Sequence, residues 1–271
     1  MFQTGLVSIS FRQHTPEQIT AAAGSCGLQA IEWGSDVHVP QGDKAAALRV
    51  RSLTEERGLH TAAYGSYFSL GKALNPEAEF APYLQTAEWL GAPLIRIWGG
   101  EHGSGELTGD DLSSMIGETR ILARMAESCG IRLALECHPG TLTDNETVSA
   151  LFLLQVGGRA LTLYWQPNQY RSYEENLRSA RLLASSTTNL HVFSWEMAAG
   201  ELRRFPLQQH EARWLEYLRI FASAGGHALL LEFMHDDRLE TLPQTAAVLN
   251  RWAKLFSRGE QTTAETQEEF H

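Results

Sequence analysis

The fold is decided by a short apolar stretch in the middle of the chain, Ile131-Arg132-Leu133-Ala134-Leu135-Glu136-Cys137-His138. We predict it as a strand, because it follows a long amphipathic segment over residues 110–128 that is predicted as a helix ending at Gly130. A second helix is predicted soon after it, over residues 146–155. A strand between two helices is typical of a parallel sheet, since each helix carries the chain back across the sheet.

The same alternation continues in both directions from this stretch. Seven further apolar runs are predicted as strands, over residues 5–11, 30–34, 61–65, 94–98, 161–166, 190–195 and 228–234. One further helix is predicted to begin at Thr15 and Pro16. The remaining helices are predicted to cover residues 44–57, 77–90, 173–184, 211–224 and 242–256. Eight strand–helix pairs in about 250 residues favour an α/β fold, a single (β/α)8 TIM barrel.

An open, doubly wound sheet is the alternative architecture. Such a sheet normally carries a glycine-rich phosphate turn after its first strand, where this chain has Ser10-Phe11-Arg12-Gln13. The helices and strands follow one another without a linker, so we predict one barrel domain over residues 1–256. Residues 257–271 are polar and acidic and are predicted to form a disordered tail.

Composition narrows the class of protein. The chain has 271 residues, 43% of them hydrophobic, and its 22 Lys and Arg against 32 Asp and Glu give a net charge of −10. With more acidic than basic side chains, the chain has few cations to neutralise phosphates, so a nucleic acid is not an expected partner. No apolar run is long enough to span a membrane and no signal peptide is evident. Three cysteines fit a reducing compartment, so we expect a soluble cytoplasmic protein.

Polar side chains stand in the four last predicted strands. Glu136 and Gln166 end two of them, His191 alternates with apolar neighbours, and Glu232 lies inside an almost wholly apolar run. Active sites of such barrels lie at the carboxyl ends of the strands. Because ionised carboxylates are rarely buried without a cation or strong donors, Glu136 and Glu232 call for a shared positive charge. A divalent metal ion fits that demand, with His191 and the Gln166 amide oxygen as further ligands.

The alternative for the same residues needs no metal. Each glutamate would pair with an arginine, for which Arg96 is the obvious candidate, and His191 would be an ordinary core histidine. Further residues near strand ends are predicted to face the substrate; these are His38, Tyr64, Arg96, Trp98 and His138. Arg96 suits a substrate carboxylate or phosphate as well as it suits Glu136.

The ordered set Glu136, Gln166, His191 and Glu232 resembles the metal ligands of the xylose-isomerase-like barrel superfamily of sugar phosphate isomerases and epimerases. Shorter stretches over residues 27–33, 95–100 and 129–136 are similar as well, and the resemblance extends from Gly5 to about Phe256. It implies one Mn²⁺, Co²⁺, Mg²⁺ or Zn²⁺ ion. It also implies that Glu136 and Glu232 form the acid/base pair that moves a proton beside a carbonyl.

Three features depart from the superfamily pattern. Gln166 stands where an aspartate is usual, which weakens the site for a hard cation, although some dehydratases look similar in tolerating Gln. The Asp-x-x-His motif of ketose 3-epimerases is replaced by Gln166-Pro167-Asn168-Gln169. Their arginine after the histidine ligand is missing too, since Trp195-Glu196-Met197 follows here. A ketohexose epimerase is therefore disfavoured.

The first prediction for function is a metal-dependent isomerase or epimerase of a small sugar, sugar phosphate or cyclitol ketone. Two alternatives stay open, a dehydratase of a cyclic hydroxy ketone and a non-catalytic sugar-binding barrel with a weakened metal site. An endonuclease for abasic DNA shares this barrel and ranks last, because its extra His and Asp ligands are not apparent. Association into a homo-oligomer is possible for such barrels.

Overall fold

The chain folds into a closed barrel of parallel strands in a computed structural model, which describes residues 1–157, 161–198 and 200–257. The strands within these ranges are β1 (Gln3–Val7), β2 (Ala30–Gly34), β3 (His60–Ser69), β4 (Leu94–Trp98), β5 (Arg132–Glu136), β6 (Leu161–Trp165), β7 (Thr187–Val192), β8 (Trp195–Ala198), β9 (Glu201–Arg204) and β10 (Ala228–Leu231). Strands β8 and β9 form a separate hairpin, and the barrel order is β1-β10-β7-β6-β5-β4-β3-β2. The predicted single (β/α)8 barrel is confirmed.

Helices surround the barrel and return the chain between strands. In the described residues they are α1 (Pro16–Ser25), α2 (Lys44–Glu56), α3 (Pro76–Leu90), α4 (Gly109–Ser128), α5 (Glu146–Val156), α6 (Tyr173–Leu183), α7 (Glu211–Ala222) and α8 (Leu242–Ser257). Local sequence fixes where several begin. Thr15, Thr108 and Ser172 each cap a helix in a capping box, in which the cap hydroxyl accepts a backbone N–H of the first turn.

The apolar core has two layers. Small and medium side chains fill the inside of the barrel, among them Ala30, Ala63 and Ala134. Larger side chains, including the fully buried Trp33 and Trp165, pack between the barrel and its helices. This division is ordinary for a closed parallel barrel, in which strands are buried on both faces. Inward positions near the carboxyl ends of the strands are left for polar side chains.

Several predicted bounds are wrong at the barrel mouth. The first strand ends at Val7 rather than at residue 11, because Ser8–Phe11 forms a 3-10 turn. Ser8 Oγ accepts the Gly34 backbone N–H at 2.9 Å, which ties this turn to β2. The seventh strand lies earlier than predicted, over Thr187–Val192, and the eighth barrel strand ends at Leu231.

The hairpin of β8 and β9 is absent from the predicted elements. Its second strand is exposed along its whole length, so it lacks the apolar alternation that marks a half-buried strand. The predicted tail lies outside the described residues beyond Ser257, where α8 ends. Across the parts of the chain that are described, no helix is long and apolar enough to cross a membrane.

Candidate functional site

Three predicted ligands meet at the carboxyl end of the barrel. Glu136 is the last residue of β5, Glu232 directly follows β10, and His191 lies in β7. All three are buried, and one potential ligand atom from each lies within 4.8 Å of the others. His191 Nδ1 is 3.3 Å from Glu232 Oε2 and 3.5 Å from Glu136 Oε1. Parallel pairing brings together side chains that are far apart in the sequence.

Gln166 lies beside this cluster, directly after β6. Its Nε2 donates to Glu136 Oε1 at 3.0 Å and to the Cys137 carbonyl at 2.9 Å. None of the hydrogen bonds between described residues uses Gln166 Oε1, so the amide oxygen is free for another partner. In this geometry the side chain holds Glu136 in place, and its predicted role as a metal ligand stays a prediction.

A fourth acidic side chain, Glu32 of β2, lies at the same end of the barrel and was not among the predicted site residues. Arg96 of β4 joins it to the cluster, since Arg96 Nε donates to Glu32 Oε1 at 2.8 Å and Nη1 donates to Glu136 Oε2. Glu32 Oε2 lies 3.2 Å from His191 Nε2. The arginine pairing foreseen for Glu136 therefore exists, and it occupies the guanidinium that was also a substrate-binding candidate.

The close approach of Glu32 and Arg96 depends on a glycine. A Cβ atom at Gly65 of β3 would lie 2.6 Å from Glu32 Oε1 and 2.9 Å from Arg96 Nη2. Both distances are too short for real Cβ contacts, so any other residue would displace this ion pair. The Glu32–Arg96 pair therefore occupies the space that a side chain at position 65 would fill.

The environment separates the two predicted acid/base glutamates. Burial would raise the pKa of Glu136, but the Arg96 guanidinium and His191 hold it at about 2. Burial raises the pKa of Glu232 to about 7, where the nearby Glu136 carboxylate adds to the rise and His191 opposes it. Two carboxyl groups in one site with widely different pKa values are typical of an acid/base site.

The pKa of His191 is shifted as well. Burial alone would lower its pKa, but the carboxylates of Glu232 and Glu32 raise it to about 10. Its Nδ1 is buried and makes no hydrogen bond of good geometry, although it faces both Glu136 and Glu232. An atom within ion-pair distance of two carboxylates marks the place where a metal ion would replace its proton.

The buried charges fit a divalent cation. Once His191 and Glu232 have lost the protons that their raised pKa values hold, the carboxylates of Glu32, Glu136 and Glu232 against the single guanidinium of Arg96 leave a net charge of −2. One divalent ion balances that charge, and carboxylate oxygens with an imidazole nitrogen suit Zn²⁺, Mn²⁺ or Co²⁺. The donor set therefore fits the metal that the sequence predicts.

A cavity of about 340 Å³ is lined by residues that follow β3, β4 and β5 or end them; these are Tyr67, Ser69, Lys72, Trp98, Gly100, Glu101, His138, Pro139, Gly140 and Thr141. The rings of Trp98 and His138 meet edge to face at 4.6 Å, and the Arg96 guanidinium lies 5.9 Å from the Trp98 ring centre. His138 Nδ1 contacts the Pro139 carbonyl, while Nε2 has no hydrogen-bond partner among the described residues. Two of the predicted substrate-facing residues thus line one cavity.

His38 and Tyr64 lie elsewhere. Both ring nitrogens of His38 have protein partners, Ser8 Oγ and the His14 carbonyl, each at 3.1 Å. The Tyr64 hydroxyl donates to the Val39 carbonyl at 2.8 Å, and its ring packs with the core between barrel and helices. No hydrogen bond or ion pair in the described ranges joins either residue to the cluster. Their predicted contact with substrate stays a prediction.

Fold and site together define a (β/α)8 barrel with a buried carboxylate–histidine centre at its carboxyl-terminal mouth. The sequence profile of the family described as xylose isomerase-like TIM barrel matches residues 20–252. That span is most of the chain, and the chain belongs to this family. No curated protein matches it by sequence.

Solved structures share the fold. The probable 3-DHS dehydratase AsbF of petrobactin synthesis from Bacillus anthracis matches with a TM-score of 0.75 and 19% identity, over 92% of this chain and 99% of that one. The IolI protein with a bound zinc atom matches with a TM-score of 0.72 and 12% identity, over 94% and 98%. An L-ribulose 3-epimerase matches with a TM-score of 0.70 and 14% identity, over 97% and 98%. At these identities the likeness shows the fold alone.

Proposed function

We propose that this chain is a metal-dependent enzyme that moves a proton beside the carbonyl of a small polyhydroxylated compound. The observation that carries the proposal is the position of His191 Nδ1, buried, unbonded and facing the carboxylates of Glu136 and Glu232. These three residues would hold a divalent ion, with the Gln166 amide oxygen as a fourth ligand. The zinc atom of the IolI structure supports a metal in this fold.

When bound, the ion supplies positive charge to the oxygen that becomes negative as the proton leaves carbon. The protein's own residues then divide the remaining work. Among the described residues Glu232 forms no ion pair with an arginine, so its carboxyl group is the one free to accept and return a proton. Glu136 has both oxygens in use, one by Arg96 and one by Gln166, and stays ionised.

This asymmetry favours reactions that need one proton carrier. Inversion of a carbon centre by two opposed bases would require a second carboxylate able to take up a proton, and the ion pair with Arg96 disfavours protonation of Glu136. Isomerisation of a hydroxy ketone needs a single base, and so does loss of water from a hydroxy ketone. The probable dehydratase among the structures with this fold is in keeping with the last of these reactions.

The cavity lined by Trp98 and His138 supports a small substrate. Its volume of about 340 Å³ and its wall of Trp98, Tyr67 and His138 suit a sugar or cyclitol ring, whose apolar face stacks on aromatic side chains. Net charge of −10 supports a small molecule over a nucleic acid. A cytoplasmic location and a homo-oligomeric state stay predictions; the three cysteines are free, in keeping with the first.

Deuterium exchange tests the proposal. The chain, loaded with Mn²⁺, Co²⁺ or Zn²⁺, is incubated in D₂O with panels of ketoses, sugar phosphates and cyclitol ketones. We expect deuterium to enter carbon next to the carbonyl of at least one compound, and chelation to stop the exchange. Formation of an unsaturated ketone in the same experiment identifies the dehydratase alternative. Metal-independent exchange, or none with any compound, contradicts the proposed function.

A further inference from the structure

Glu32 has no part in the proton transfer proposed above, yet it lies at the centre of the charged network. The side chain is fully buried in the middle of β2, and both of its oxygens have partners. Oε1 accepts from Arg96 Nε at 2.8 Å, and Oε2 lies 3.2 Å from His191 Nε2. A buried carboxylate without a cation or donor is costly, so these contacts fix its position.

The contact with Glu32 decides how His191 presents its two nitrogens. A neutral imidazole has one N–H donor and one nitrogen with a free lone pair. Glu32 Oε2 can only accept, so Nε2 keeps its proton, and Nδ1 is the nitrogen that must give up its proton for a metal ion to bind. Nδ1 is the nitrogen that faces Glu136 and Glu232.

We propose that Glu32 is the positioning residue of the metal centre, holding His191 so that its Nδ1 lone pair points between Glu136 and Glu232. This inference rests on the proposed function, because it presupposes that the centre binds a divalent ion. Carboxylates that accept the second N–H of a ligating histidine orient the ring and strengthen the ligand.

Neighbouring residues keep Glu32 in this role. Arg96 donates to the other oxygen of Glu32 and also pairs with Glu136. One guanidinium therefore fixes the position of Glu32 relative to Glu136, a proposed metal ligand. Gly65 leaves the space in which this pair fits. The Tyr164 ring packs edge to face on the His191 ring at 5.0 Å and limits its rotation.

Cobalt binding tests the role of Glu32 without an activity assay. The metal-free wild type, Glu32→Gln and Glu118→Gln are titrated with Co²⁺, and calorimetry gives the Kd while the visible spectrum reports coordination. Glu118 is a matched control, a buried carboxylate of α4 that accepts the Gly71 backbone N–H and forms no hydrogen bond or ion pair with the cluster in the described part of the chain. We expect Glu32→Gln to weaken Co²⁺ binding about 10- to 100-fold and Glu118→Gln to leave it unchanged.

The outcomes separate this inference from the proposed function. Unchanged affinity in a folded Glu32→Gln variant overturns the role of Glu32 alone, while failure of the wild type to bind any divalent ion overturns both. If Glu32→Gln does not fold, wild-type protein loaded with ¹¹³Cd²⁺ decides by NMR. Coupling of the metal through Nδ1 of His191, with Nε2 protonated, is the expected result, and metal on Nε2 overturns the inference.

Discussion

Glu136 and Glu232 approach the same nitrogen of His191, at 3.5 and 3.3 Å, but only Glu136 is also paired with Arg96. The two carboxyl groups are therefore unequal, one held ionised at a pKa of about 2 and the other near neutrality at about 7. In the proposed proton-transfer site, Glu232 is therefore the group that accepts and returns the proton, and Glu136 is the carboxylate that stays ionised.

Replacing Glu232 with Gln tests that assignment. The amide keeps the size of the side chain but cannot accept and return a proton. We therefore expect the rate of deuterium incorporation from solvent into substrate to fall by at least about 10²-fold, with the barrel still folded. Solvent-deuterium incorporation measures the rate, and circular dichroism reports the fold. Glu240→Gln, at an exposed side chain, serves as the control and is expected to behave as wild type. Exchange at the wild-type rate in Glu232→Gln removes it from the role of base.

Metal affinity should rise with pH. Glu232 with a pKa of about 7 and His191 with a pKa of about 10 must both lose a proton before they can bind a metal ion. We therefore expect the Kd for Co²⁺ to fall steadily as the pH is raised across the pKa of Glu232, and protons to be released on binding. Calorimetry in buffers of different ionisation enthalpy counts those protons. A Kd that is independent of pH contradicts the proposed ligands.

Stability of the metal-free protein should fall over the same range. The pKa of Glu232 is raised from 4.5 to about 7, and that of His191 from 6.5 to about 10, so each group stabilises the fold while it is protonated. That stabilisation is complete below the ordinary pKa and is lost as the pH rises through the raised value. Urea unfolding across this interval should show a decreasing free energy of unfolding, and saturating Zn²⁺ should remove the decrease. A metal-free protein that gains stability toward alkaline pH contradicts these shifts.

Gly65→Ala tests the packing of the Glu32–Arg96 pair. Its Cβ would meet Glu32 Oε1 at 2.6 Å, and we expect a loss of about 1 to 3 kcal/mol of stability together with weaker metal binding. Gly117→Ala in α4 is the matched control, because no described residue outside its own helix comes within 4 Å of the added Cβ and alanine favours a helix. Thermal unfolding of both variants, with and without Co²⁺, makes the comparison. Equal stability and metal affinity in the two variants would show that the pair does not need this space.

Gln166→Asp tests the fourth ligand. A carboxylate in place of the amide adds a negative charge to the donor set, so we expect tighter Mn²⁺ and Mg²⁺ binding. The same change removes the Nε2 hydrogen bond to Glu136, which the structure shows at 3.0 Å. Calorimetric titration with Mn²⁺ measures the outcome, and Gln169→Asp three residues along controls for added charge. Unchanged affinity would mean that Gln166 only positions Glu136.

Sequence reasoning found the barrel because short apolar strands alternate regularly with longer amphipathic helices along the chain. It also found Glu136 and Glu232, since a lone carboxylate in an apolar run demands a partner. Glu32 shows the same signal within Ala30-Ile31-Glu32-Trp33 but stands in mid-strand rather than at a strand end. The same criterion, applied without regard to position along the strand, would have found it.

Other features had no signal in the sequence. Gly65 matters because of side chains on β2 and β4, and only the closed barrel brings those beside it. His38 and Tyr64 are predicted to face the substrate because of their residue types and their positions near strand ends. In the structure their polar atoms have hydrogen-bond partners within the protein. Such contacts depend on tertiary packing, which periodicity does not encode.

The central claim is that Glu136, His191 and Glu232 bind one divalent metal ion. Metal analysis after equilibration of the chelator-treated protein with Co²⁺, Mn²⁺ or Zn²⁺ tests it most directly, with His191→Ala measured beside the wild type. The predicted result is one ion per wild-type chain and none retained by His191→Ala. A wild-type protein that retains none of these ions, or a variant that binds as well as the wild type, would contradict it.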